Sequence, residues 1–268
     1  MKIALLKLSG KTLNDFISSD KWISSVKDLL NAFEGLVIVH GAGKDISEWS
    51  QKMGLETKFV EGQRVTTREQ MDIVAAVQAG VLNTKLTAKL VSSGISASGF
   101  SGIDRGTFTA KYLNKDLGYV GKPVLTGASN WIKNLLADRV IPVFSSVCTD
   151  ASGNLMNVNA DVFAETLALT LHADTVLFAS DVEGVKLNGS VRPTLNEEQI
   201  INGIVKGEIT DGMVPKLNSC IELLKQGINK IWIGARISNY NLSGISNDGN
   251  GTWIVNTSEA EYELLKTA

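Results

Sequence analysis

The sequence has no surplus of either charge: 26 lysines and arginines meet 28 aspartates and glutamates, a formal net of −2 over 268 residues. A nucleic-acid partner needs a basic face, and the balance signals none. There are two cysteines, Cys148 and Cys220, too few for a disulfide scaffold; they read as buried free thiols of a cytoplasmic protein. The two histidines, His40 and His172, are too few for a histidine-built metal site. No apolar run approaches the roughly 20 residues that span a bilayer, so no membrane partner is expected. The opening MKIALLKLSGK is broken by Lys7 and has no small-residue cleavage site close behind. It predicts a first strand rather than a signal peptide.

Familiar catalytic signatures are missing too. Gly41-Ala42-Gly43-Lys44 is not a Walker A loop: the required earlier glycine is Ile38, and Asp45 stands where serine or threonine is needed. No Gly-x-Gly-x-x-Gly follows a strand, and no Gly-x-Ser-x-Gly elbow is present. His40 ends an apolar run and reads as a packed core histidine. His172, between a helix and a strand, reads as structural or solvated.

What is present is alternation. Short apolar runs at 3–8, 36–40, 95–100, 141–145, 175–179, 228–233 and 251–255 predict strands. Between them, helices are predicted over 13–30, from Gly43 to about 53, and over 69–92, 130–136, 161–171, 196–204 and 216–226. Residues 58–67 and 102–121 predict hairpins, and 238–251 a loop. The pattern is that of an α/β protein with a mostly parallel sheet covered on both faces. In such sheets ligands bind at the carboxyl ends of strands. Glycine-bearing turns stand there at Ser9-Gly10-Lys11, Gly41–Lys44 and Ser180–Gly184. Such turns let backbone N–H groups approach an anion at a helix N-terminus.

The ordered set Lys7-Leu-Ser-Gly10, Val39-His-Gly-Ala-Gly43, Gly62-Gln-Arg-Val-Thr66, Leu155-Met-Asn-Val-Asn-Ala-Asp161, Ser180–Val185 and Ile209–Lys216 carries more. It resembles the amino acid kinase superfamily, and within it the N-acetylglutamate kinases, over about residues 3–255. The resemblance implies a three-layer α/β/α sandwich around a predominantly parallel central sheet. Residues 1–175 would form a lobe for the amino-acid substrate that also makes the dimer contact, and 176–268 a lobe for ATP. The implied activity is ATP-dependent phosphorylation of the side-chain carboxylate of N-acetyl-L-glutamate to an acyl phosphate, in arginine biosynthesis. Two rival readings stand beside it. One is the same chemistry on another acceptor, such as N-succinylglutamate, an aminoadipate derivative or a nucleoside monophosphate. The other is a nucleotide-binding protein without turnover.

The resemblance also implies roles. Lys7 and Lys216 would contact the transferring phosphoryl group, with Asp161 holding both lysines and keeping them protonated. Gly10 and Gly43 would offer backbone N–H groups to phosphate. Arg64 would clamp the substrate's α-carboxylate, beside Ala42 and Gly43, and Asn157 would read the substrate near it. Ser9 and Gly10, the turn Asp181, Val182, Glu183, Gly184, Val185 and Lys186, and Ile209, Thr210 and Met213 would hold the nucleotide. Mg²⁺ would ride on the phosphates of ATP, with no metal-ligating residue of the protein assigned. Two positions depart from the family pattern: Ser9 and Ala42 stand where glycines are usual. The Ala42 methyl would crowd the site if its φ were positive. A homodimer is expected, in contact through the small-residue helix 69–92. Because the first strand begins at Ile3, without the N-terminal helix of arginine-inhibited members, insensitivity to arginine is expected as well.

Overall fold

The computed structural model describes residues 1–235, 237 and 251–256. In chain order the elements are β1 (Ile3–Leu8), α1 (Gly10–Ser18), α2 (Lys21–Ala32), β2 (Gly35–His40), α3 (Gly43–Lys52), β3 (Phe59–Val60), β4 (Gln63–Arg64), α4 (Arg68–Val74), α5 (Asn83–Ser92), β5 (Ala97–Ser101), β6 (Phe108–Tyr112) and β7 (Val120–Leu125). They continue with α6 (Asn130–Ala137), β8 (Ile141–Ser145), β9 (Val147–Thr149), β10 (Leu155–Val158), α7 (Ala160–Leu171), β11 (Thr175–Ala179), β12 (Lys186–Leu187), β13 (Ser190–Val191), β14 (Thr194–Leu195), α8 (Glu197–Val205), α9 (Met213–Lys225), β15 (Lys230–Gly234) and β16 (Thr252–Val255).

The eight-stranded sheet has the order β14-β16-β15-β11-β1-β2-β8-β5. All its pairings are parallel except β15 with β16. Its inner strands, IALLKL, GLVIVH and TVLFA, are buried at every residue, as strands covered on both faces must be. Alternate residues serve opposite cores. Ala4, Leu6, Leu36 and Ile38 pack with Leu13, Phe16, Val26 and Leu86 from α1, α2 and α5. Ile3, Leu5, Val37 and Val39 pack with Ile132, Phe163, Leu167, Leu217 and Leu224 from α6, α7 and α9. The result is the expected three-layer α/β/α sandwich.

Three details differ from the sequence reading. The helix expected over 13–30 is two helices, broken at Ser19, which is extended (φ −141°, ψ 158°). The Ser18-Ser19-Asp20 cluster explains the break, because such side chains compete for backbone hydrogen bonds and favour caps. The helix expected over 69–92 is continuous but wound as a π-helix across Ala75–Leu82. It starts at a full capping box: Thr67 Oγ1 accepts from Gln70 N at 3.2 Å, and Thr67 N donates to Gln70 Oε1 at 2.9 Å. The hairpin expected in 102–121 is β6 with β7, and it closes with β9 and β10 into a small four-stranded barrel. Met156 and Phe108 of that barrel pack on α7 through the second core. Gly118, at φ +71°, lets the barrel meet the β3–β4 hairpin; a Cβ there would stand 2.4 Å from Thr66 O. Of the loop expected over 238–251, residues 238–250 lie outside the described residues.

Candidate active site

Period-two alternation along β1 decides where its one charge goes. Ile3 and Leu5 face α7 and α9, so Lys7 faces them too, between Val39 and Phe178 on the flanking strands. Its side chain is only 9% exposed and forms an ion pair with Asp161 in the first turn of α7. Asp161 Oδ2 lies 3.9 Å from Nζ of Lys216 on α9. Lys216 in turn stands over the Phe178 ring, 5.3 Å from its centroid. Asn159 caps α7, accepting from Asp161 N at 2.8 Å, which fixes the start of the helix. Burial pushes the Lys7 pKa below its ordinary value; Asp161 opposes that shift and Lys216 adds to it. So Asp161 acts in the expected direction on Lys7, but burial outweighs it. Burial would raise Asp161, yet Lys7 and Lys216 hold it below the usual carboxylate range. Two cations therefore share Asp161, with Asp181 acting on Lys7 and Glu165 on Lys216 through space.

Helix N-termini add positive potential beside the two lysines. The adjacent parallel strands β1 and β2 each run straight into a helix, α1 at Gly10 and α3 at Gly43. A Cβ added to Gly10 would stand 3.6 Å from Gly43 N, so the two termini meet at one place; at Gly43 a Cβ would enter open space. Unpaired N–H groups and aligned peptide dipoles make such a place attractive to anions. Ser9 is the N-cap of α1, its Oγ accepting from Thr12 N at 3.3 Å and bonded to Thr12 Oγ1 at 2.9 Å. The hydroxyl is thus occupied within the helix cap. Ala42 has φ −151°, so the positive φ that would have made its methyl crowd the site does not arise.

A cavity of about 460 Å³ opens at these termini, lined by Lys7, Ser9, Gly10, Ala42, Gly43, Arg64, Asn157 and Asp161 among others. Arg64 is no free surface residue. Its Nη2 donates to Gly43 O at 2.7 Å and Ser47 Oγ at 2.8 Å, and its guanidinium lies 4.9 Å from the Phe59 ring centroid. Asn157 donates from Nδ2 to Thr66 Oγ1 at 3.0 Å. A second cavity of about 530 Å³ is lined by all of Asp181, Val182, Glu183, Gly184, Val185, Lys186, Ile209, Thr210 and Met213. Ser9 and Gly10, grouped with these nine in the sequence reading, line the first cavity instead. Lys216 borders Asp161 but lines neither cavity.

Sequence reasoning missed Ser47, Gln78 and Ser146 in the first cavity and Glu208 in the second. Ser47 was within reach, since it lies one helical turn beyond Gly43. Gln78 left a signal as the one polar residue in the apolar run Ala75-Ala-Val-Gln-Ala-Gly-Val-Leu82.

His40 is fully buried, as read from the sequence. Asn83 Nδ2 donates to its Nε2 at 3.1 Å, which places the ring hydrogen on Nδ1, 3.3 Å from Gly41 O. Burial lowers its pKa to about 4. The unfolded chain, with its ordinary value near 6.5, takes up a proton that the folded chain refuses. Stability should therefore be intact above about pH 6.5 and fall by about 3 kcal/mol down to pH 4. Urea melts across this range should show that slope flattened in a His40→Gln variant. His172 takes the left-handed cap position of α7, at φ 54°. Cys148 and Cys220 are free and buried, and burial pushes the Cys148 thiol up to about 12.

Residues 2–235 match the sequence pattern of the amino acid kinase family, and the chain belongs to that family. Its similar relatives include acetylglutamate kinases. That of Bacillus velezensis is 35% identical over 233 residues, covering 87% of this chain and 89% of the relative. That of Dehalococcoides mccartyi is 34% identical over 263 residues, covering 94% of each chain. Among solved structures, smu.665 from Streptococcus mutans superposes with a TM-score of 0.80 at 28% identity, covering 95% of this chain and 99% of the other.

Proposed function

We propose that the protein is an ATP-dependent kinase of N-acetyl-L-glutamate, acting in arginine biosynthesis. The observation that carries this reading is the array Lys7–Asp161–Lys216 set beside two converging helix N-termini. In the reaction a side-chain carboxylate oxygen of the substrate bonds to the γ-phosphorus of ATP. The bond to the β–γ bridging oxygen breaks, and ADP leaves with that electron pair. The nucleophile is ionised at neutral pH, so no general base is needed, and His40, buried and engaged at both ring nitrogens, offers none.

The task is to hold crowded negative charge in line. Lys7 and Lys216 would stabilise the transferring phosphoryl group, and the N–H groups of Gly10 and Gly43 would bind its oxygens. Asp161 would keep the two ammonium groups apart and aimed. Arg64 would take the substrate's α-carboxylate, and Asn157 the neighbouring part of the substrate. The second cavity would take the nucleotide, its adenine and ribose held by 181–186, Ile209, Thr210 and Met213. Among the described residues no three histidine, cysteine, aspartate or glutamate side chains cluster as metal ligands. As in the family resemblance, Mg²⁺ would be carried by phosphate oxygens and water, supplying charge neutralisation.

On this reading residues 1–175 form the amino-acid lobe and 176–268 the ATP lobe. A homodimer would use the outer face of the helix spanning 68–92. Its inner face is spent on the core through Val74, Val77, Leu86 and Leu90, while Ala76, Gly80 and Ala88 face outward. Two free thiols suit a reducing compartment, the cytoplasm. No described helix is long and apolar enough to cross a membrane.

Incubation with MgATP and hydroxylamine tests the reading. Hydroxamate should form with N-acetylglutamate and not with N-succinylglutamate or aminoadipate, and UMP should yield no UDP. Product from another acceptor alone would reassign the substrate. Binding of ATP with neither hydroxamate nor acceptor-dependent release of ADP would overturn the kinase assignment.

A further inference from the structure

The π-helical stretch Ala75–Leu82 lies directly behind the first cavity, and two buried amides project from it and from its junction with α5. Gln78 is 3% exposed and Asn83 5%. Gln78 Nε2 donates to His40 O at 3.1 Å and to Ser146 Oγ at 2.9 Å. Ser146 Oγ donates onward to Val158 O at 2.6 Å. Asn83 Nδ2 donates to His40 Nε2 and, at 2.9 Å, to Val143 O. His40 is thus gripped at its backbone by one amide and at its ring by the other.

The winding makes this possible. In an α-helix two residues five apart point about 140° away from each other. Hydrogen bonding from i to i+5 brings such residues onto one face. Gln78 and Asn83 are five apart.

The gripped residues end the two strands that lead into the site. His40 is the last residue of β2, before the turn that presents Gly43. Val158 is the last residue of β10, before Asn159 and Asp161. The chain of hydrogen bonds from His40 O through Gln78 and Ser146 to Val158 O therefore ties the anion-binding turn to the strand that delivers Asp161. Gln78 and Ser146 also line the cavity, so the tie forms part of its wall.

We propose that Gln78, aimed by the π-helical winding, is a positioning residue for phosphoryl transfer. It sets the spacing between the N-terminus of α3 and the Lys7–Asp161–Lys216 array. The inference rests on the kinase reading above. Its test uses Gln78→Met, which keeps length and burial but removes the amide, and Ser146→Ala, which removes the relaying hydroxyl. Each should lower kcat about tenfold to a hundredfold, the range that small misplacements cost, with KM for ATP within about twofold of wild type. The double variant should be no slower than the worse single one, because both cut the same tie. Deleting Ala76, which draws Gln78 out of register, should reproduce the kcat loss. Should Gln78→Met fail to fold, Ser146→Ala alone carries the test. An active wild type with Ser146→Ala and any folded Gln78→Met protein within twofold in kcat would overturn the inference while leaving the kinase reading intact. Multiplying losses in the double variant, tracking a drop in thermal midpoint, would also overturn it in favour of a merely structural role. A wild type that makes no acetylglutamate-dependent hydroxamate would overturn both.

Discussion

Lys7→Ala should lower kcat for acetylglutamate phosphorylation by about a hundredfold to a thousandfold, the cost of removing one donor aimed at developing charge. The protein should otherwise remain intact. Lys7 is buried at a desolvation cost that already lowers its pKa, so its loss removes an unfavourable burial as well as an ion pair. Asp161 keeps Lys216 through Oδ2, but its Oδ1, the oxygen paired with Lys7, is buried and is left without a partner. The variant should still fold, with a thermal midpoint lowered by roughly five to ten degrees for the unpaired carboxylate oxygen. Lys216→Ala should give the same kinetic phenotype from the other side of Asp161. Hydroxamate formation beside a melting curve checks both variants. A Lys7→Ala protein that retains more than a tenth of wild-type kcat would remove the lysine from the transferring group.

Arg64→Ala should raise KM for acetylglutamate by roughly a hundredfold or more, with KM for ATP nearly unchanged. Truncating one partner of a hydrogen-bonded charge pair costs about 2–5 kcal/mol, which spans that factor. The guanidinium is preorganised for the task, already docked on Gly43 O and Ser47 Oγ and stacked on Phe59. Binding substrate therefore orders little that is not ordered already. Arg64→Lys should not rescue, because an ammonium lacks the planar fork that meets a carboxylate in two places. Steady-state kinetics with each substrate varied in turn decides it. An unchanged KM for acetylglutamate would place the α-carboxylate elsewhere.

Much of this arrangement is legible in the sequence. The inner strands announced themselves as apolar runs because a strand covered on both faces has no polar side to show. The glycine turns at Gly10 and Gly43 stood out for the same positional reason. Lys7, Asp161 and Lys216 were different: no local pattern joins residues 154 and 55 positions apart, and only the family's order of motifs brought them together. What stayed hidden was set by packing. Nothing in the composition of Ala75–Leu82 distinguishes a π-helix from an α-helix, whereas the hydrogen bonds of Gln78 and Asn83 that go with the winding are tertiary. The four-stranded barrel was invisible because β9 has three residues and its partners come from both sides in sequence. The concern over Ala42 turned on a backbone angle, which residue identity alone does not disclose.

The place of β1 in the sheet also bears on how the molecule is made. Lys7 pairs with Val39 on one side and with Phe178 on the other. The first neighbour leaves the ribosome soon after β1 does. The second emerges well over a hundred residues later, which at about 5–20 residues per second is roughly ten seconds or more. Through that interval one edge of a strand buried at every residue in the folded protein has no native partner, the condition in which strands recruit strangers. Lys216 emerges later still. β1 is thus synthesised early but enclosed late, and nascent chains should depend most on chaperones before β11 arrives.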